Sequence, residues 1–185
     1  MHYSILGSIV SLVPSIHAVW CAPAVSLPDG LDEGKVVGLL NGDLITHLDV
    51  LFAVDTVITN LLSANFDVQN LLPLEITIDH VTADAGINGT ALIHFDQAFT
   101  GFIVPGLGTA NSGTFDNVSL TQGVLALLPI VPLGELDILN ADVSLRVATI
   151  NGSLGVPLAM DGLQESDVNT TPDIDSLTFD NSEHL

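Results

Sequence analysis

Apolar and polar side chains alternate through much of the chain, most cleanly between residues 64 and 92. Ala64, Phe66 and Val68 oppose Asn65, Asp67 and Gln69; beyond a turn containing Pro73, Leu74, Ile76 and Ile78 oppose Glu75, Thr77 and Asp79. A period of two puts successive side chains on opposite faces of a strand, so each run predicts a strand with one dry face and one wet face. These two strands are expected to form the pair to which the remaining strands add.

Upstream, Leu44, Leu48, Val50, Phe52, Val54 and Ile58 are apolar at even positions, whereas Asp43, His47, Asp49 and Asp55 are odd. That pattern predicts a strand from Leu44 to about Val54, with a short helix open for Thr56 to Leu62. Downstream, Ala91, Ile93 and Phe95 alternate with Leu92, His94 and Asp96, and residues 114–121 read as another strand. Leu139, Ala141, Val143, Leu145 and Val147 are expected to be buried, with Asn140, Asp142, Ser144 and Arg146 outward. Asn88-Gly89 and Asn151-Gly152 have the composition of two-residue hairpin turns, in which both central residues take positive φ. Phe99 to Gly113 reads as a Gly/Pro-rich connection, and Gly123 to Pro132 as a buried edge segment or short helix.

Short strands at spacings of roughly ten residues, separated by turn residues, predict an all-β protein. The expected fold is an antiparallel immunoglobulin/fibronectin-III-like β-sandwich over residues 63–160, with residues 25–62 as a leader and N-terminal strand or short helix. Residues 161–185 carry seven acids and neither Lys nor Arg, and are expected to be a disordered acidic tail.

Charge narrows the partners. The chain has 22 acidic residues against Lys35 and Arg146, a net charge of −20. Such a surface repels phosphate backbones, so no nucleic acid is expected as partner. Residues 1–24 resemble a secretory signal: Ile5 to Val19 is apolar, and Ala22-Pro23-Ala24 offers small residues at a cleavage site, although no Lys or Arg precedes the apolar run. Cleavage after Ala18, Cys21 or Ala24 fits, and no membrane span is expected after its removal. Tyr3, Trp20 and Cys21 are the only residues of their kinds, so a chain cut at Cys21 or later has no disulfide and relies on its core. Four Asn-x-Ser/Thr sequons follow, at Asn88, Asn117, Asn151 and Asn169. Localisation is expected to be secreted, with the chain glycosylated.

Asn65-Phe-Asp-Val-Gln-Asn70, the Pro-containing turn and Leu74-Glu-Ile-Thr-Ile-Asp resemble the opening of the late-embryogenesis-abundant type-two, or water-stress, domain. Fungal secreted and vacuolar relatives are similar also in Asn88-Gly-Thr and in Pro105-Gly-Leu-Gly-Thr-Ala-Asn-Ser-Gly-Thr. The likeness covers about a hundred residues and implies a fibronectin-like sandwich. Family members favour Pro directly after the Asn, where this chain has Leu71. For relatives, lipid binding or transfer and desiccation protection have been suggested.

Chemistry-bearing candidates are sparse. His94 and Asp96 lie two apart on one strand face, a workable ligand spacing, but a metal needs three or four converging groups and only pairs are present. His80 falls in phase with Ile76 and Ile78 and is expected to be a hydrogen-bonded residue at a strand end; His47 and His184 are the other histidines outside the signal. Ser112 lacks the Gly-x-Ser-x-Gly spacing, and Asp55-Thr56 is followed by Val57 rather than Gly. No catalytic residue, metal or cofactor is assigned, and the protein is expected not to be an enzyme. Ile103 to Leu107 and Val124 to Val131 are apolar segments beside turns. If they line one cleft, Ile103, Val104, Leu107 and Leu127 are the candidate contacts for an acyl chain; otherwise they complete the core. The functional expectation is an extracellular or cell-wall-associated binding or structural protein of unknown partner, such as a cell-wall component or lipid. The alternatives are a lipid-binding or lipid-transfer module and a small secreted effector.

Overall fold

The computed structural model describes residues 26–27, 30–41, 44–127 and 130–173; the signal segment 1–24 and residues 174–185, His184 included, lie outside the described residues. Alternation makes strands of β1 (Ile45–Leu51), β2 (Leu61–Gln69), β3 (Ile76–Ile87), β4 (Thr90–Val104), β5 (Thr109–Asn111), β6 (Phe115–Leu120), β7 (Glu135–Val147) and β8 (Val156–Asp173). Helix α1 (Glu33–Leu40) precedes β1, capped by the Asp32 carboxylate, which accepts from the Lys35 N–H at 2.9 Å. Helix α2 (Thr56–Thr59) joins β1 to β2, and a 3-10 turn (Val124–Leu127) and α3 (Ile130–Leu133) join β6 to β7.

The protein is mostly strand, but the expected immunoglobulin/fibronectin-III-like sandwich, which the water-stress resemblance also implied, is replaced by a closed barrel. The order β1-β8-β7-β3-β4-β6-β2 returns to β1 through a β1–β2 pairing. Strand directions cannot alternate all the way round a ring of seven, so one neighbouring pair must run parallel. That pair is β1–β8, with His47 opposite Asn169 and Leu51 opposite Asp173. Alternation reports only that each strand has one dry face, a property common to sandwich and barrel. The choice between them was made by β1 finding partners on both edges.

Two further expectations change with the topology. The strands around Phe66 and Ile76 do not pair with each other, because β6 and β4 stand between β2 and β3. Residues 161–173 are not tail but the second half of β8, with Leu163, Val168 and Thr170 buried. Composition masked this strand, and register shifts between β7 and β8 broke its period. Buried Glu165 accepts the Leu44 N–H at 2.8 Å and the Ile45 N–H at 3.0 Å, tying β8 to the start of β1 where the ring closes. The same shifts bury Ile138 and leave Leu139 half-buried, the reverse of the expected phase.

Side chains fill the interior. Phe66 lies 5.8–5.9 Å, ring centre to ring centre, from Phe95, Phe99, Phe102 and Phe115. Val36 and Leu40 of α1 join the same buried cluster. Strand β4 continues through Val104, extending into what reads as a connection; it does so over a bulge in which Asp79 alone faces Phe99, Thr100 and Gly101. Gly101 takes φ +74° there, and Phe99 meets the Phe66 ring edge-on. The loops β1–β2, β3–β4 and β6–β7 gather at one end of the barrel, here the first end. The loops β2–β3, β4–β6 and β7–β8 gather at the second.

Candidate functional site

Two segments of the water-stress resemblance, around Asn70 and Pro105, meet in one joint at the second end, whereas Asn88-Gly-Thr lies at the first. Asn70 is fully buried; its Nδ2 donates to the Leu74 carbonyl at 2.7 Å and the Pro105 carbonyl at 3.1 Å, and its Oδ1 accepts from the Leu72 N–H at 2.9 Å. Its backbone N–H reaches the Gly108 carbonyl. Gly106 approaches so closely that a Cβ there would lie 2.7 Å from the Pro73 carbonyl carbon. Ser112, considered as a nucleophile, is structural: its Oγ accepts the Phe66 N–H and donates to the Gly113 carbonyl, each at 2.9 Å.

Next to this joint the barrel wall is open. Strands β4 and β6 pair only at Ile93–Leu120 and His94–Ser119; beyond these, β4 is paired with β3 alone. A groove of about 470 Å³ follows the seam, lined by residues 97–103 and 111–115. None of these side chains is charged, in a protein with 22 acidic residues. Amides and hydroxyls of Gln97, Thr100, Asn111 and Thr114 line it together with Phe99.

The four candidate lipid contacts are not brought together. Ile103 borders the seam groove and Val104 is fully buried, whereas Leu107 is 72% exposed on the β4–β5 loop, all at the second end. Leu127 is 2% exposed and belongs to the core at the first end. The described residues of the two apolar segments lie at opposite ends of the barrel, so they do not line one cleft.

Among the described residues the histidines pair with aspartates on the outer wall, His80 and His94 across β3 and β4 and His47 along β1. His80 Nε2 lies 2.6 Å from Asp96 Oδ1, His94 Nδ1 lies 2.8 Å from Asp84 Oδ1, and His47 Nε2 lies 2.9 Å from Asp49 Oδ1. His80 is inside β3, not at a strand end, and the Ile78/His80 bulge turns it away from the phase of Ile76 and Ile78. His94 and Asp96 therefore serve different partners. Among the described residues no three His, Cys, Asp or Glu side chains converge as a metal site, and no helix is long and apolar enough to cross a membrane.

All four sequon asparagines are exposed. Asn88-Gly89 and Asn151-Gly152 are tight turns with positive φ at all four residues, as two-residue hairpins require. Asn117 lies in an irregular stretch of β6 with φ +64°, and Asn169 on β8 opposite Glu135 and His47. Two more grooves include sequon asparagines in their walls. One of about 190 Å³ lies at the first end and includes Asn88 and Leu133; one of about 340 Å³ includes Asn117 and Leu61. Sequence reasoning missed these grooves, since each joins segments far apart in the chain.

The Asn151 turn is anchored from below. Glu75 Oε1 accepts the Gly152 N–H at 3.0 Å and the Thr149 hydroxyl at 2.8 Å, and Arg146 clasps Asp79 through two hydrogen bonds of 2.7 and 2.8 Å. The Gly152 N–H, and after it the Thr149 hydroxyl, hold the Glu75 carboxyl below its usual range against a smaller opposing effect of burial. A carboxyl lowered by folding adds stability above its unfolded value, about pH 4.3, and loses it as pH falls through the folded value. The stability gap between wild type and Glu75→Gln is therefore expected to be widest near neutrality and to shrink below about pH 4. Urea unfolding at stepped pH checks this; a gap that stays constant into strong acid overturns it.

No protein-family model and no characterised protein matches this sequence.

Proposed function

We propose that this protein is a secreted, N-glycosylated, non-enzymatic β-barrel that serves as a binding or structural element outside the cell or at the cell wall. The observation that carries the reading is the exposure of Asn88, Asn117, Asn151 and Asn169 on the folded barrel. Sequon transfer needs an accessible amide: Nδ2 bonds to the anomeric carbon of an oligosaccharide on a lipid pyrophosphate, which departs as the nitrogen loses a proton. A lipid carrier is disfavoured, because Val104 and Leu127 are spent in the core at opposite ends. Expression of the full chain in a yeast secretory host is expected to yield medium-borne protein whose mass falls by several glycan units on enzymatic deglycosylation. Retention inside the cell with unmodified asparagines overturns the reading.

The seam groove favours the binding form of this function. Its uncharged amides and hydroxyls, with one partly exposed ring, suit a neutral polysaccharide better than an ion. Cosedimentation with insoluble cell-wall glucan or chitin is expected to retain wild type and to lose Thr100→Glu. Equal retention of both removes the groove from the function.

A further inference from the structure

We infer that the grooves beside Asn88 and Asn117 are seats for the first sugars of the glycans carried by those same residues. The inference rests on the glycosylation reading above. Each groove has the attachment residue in its own wall, so a glycan bound there needs no separate encounter with its site. Each also offers both surfaces that a sugar presents. At the Asn88 groove, Leu133 is 55% exposed for the apolar ring face, and Glu135 and Asp137 provide acceptors for hydroxyls. At the Asn117 groove, Leu61 is 39% exposed, and Asp55 and Thr59 line the same groove.

The sequons thereby divide into two classes. Asn151 stands at the tip of a hairpin and Asn169 on the outer wall of β8, and neither lines these grooves. Their glycans extend into water. Those on Asn88 and Asn117 fold back on the barrel and cover Leu133 and Leu61, two of the large apolar side chains that the bare chain leaves in contact with solvent.

The test uses full-length protein secreted from yeast with high-mannose glycans. Occupancy at each asparagine is read first by glycopeptide mass spectrometry, and release by an endoglycosidase that cuts between the two core sugars is then timed site by site. Release at Asn88 and Asn117 is expected to be about tenfold slower than at Asn151 and Asn169 in native protein, with all four equal in denaturant. Leu133→Asp is expected to speed release at Asn88 alone, and Leu61→Asp at Asn117 alone. Equal native rates at four occupied sites overturn the docking and leave glycosylation standing. Absence of sugar at both Asn88 and Asn117 overturns the docking together with that part of the glycosylation reading.

Discussion

Phe66→Ala is expected to lower the stability of the barrel by about 3–5 kcal/mol, the usual cost of removing a buried phenyl ring. Phe66 is the hub of the aromatic cluster: four rings from β4 and β6 rest against it, each within 5.9 Å. Two of them, Phe99 and Phe115, meet across the seam where backbone pairing has stopped. The ring thus fills the interior where the wall is least supported by hydrogen bonds. Phe66→Leu keeps much of the volume and is expected to cost less than the alanine variant. Urea unfolding by far-UV circular dichroism is the appropriate measurement, because residues 25–185 contain neither Trp nor Tyr. A loss under about 1 kcal/mol for the alanine variant would remove Phe66 from the centre of this account.

Asn70→Ala ranks next, at about 3 kcal/mol or more. Its amide reaches the carbonyls of Leu74, Val104 and Pro105 and its oxygen serves the Leu72 N–H; the Val104 and Leu72 bonds are buried, and a buried backbone group left without a partner costs about 1–3 kcal/mol. Asn70→Asp is the sharper variant, since it has the same shape. It keeps the acceptor for Leu72 but turns an oxygen toward the Leu74 and Pro105 carbonyls, so it is expected to be as damaging as alanine at neutral pH. Unfolding midpoints for both variants check this. An aspartate variant within about 0.5 kcal/mol of wild type would mean that packing, not hydrogen bonding, holds the two loops together.

Much of the local structure was legible. The inward set of β2 and the turn residues Asn88-Gly89 and Asn151-Gly152 follow from side-chain period and turn chemistry; the helix left open for Thr56 to Leu62 forms over Thr56–Thr59 only, with Leu61 and Leu62 already in β2. Legibility failed at the bulges. One added residue reverses the face of everything beyond it, which is why His80 faces out beside Asp96 and why Ile138 rather than Leu139 is buried. The candidate site was legible only in part. Sequons are local and could be named from three letters each, whereas the seam groove and the two sequon grooves arise where distant strands meet.

By itself the sequence determined that this is a strand-rich, strongly acidic chain with apolar residues enough for a large core and with four sequons. Those properties depend on residue type and near-neighbour spacing. Only the tertiary structure decided that the strands close into a ring, that the acidic stretch through Asp173 is its last strand, and that the two apolar segments lie at opposite ends. The reason is physical. Alternation tells each strand which face to bury, but strand edges carry the same backbone donors and acceptors everywhere, so which edges meet is settled by long-range packing. Here the bulges, Glu165 at the closure and Phe66 at the centre settle it together.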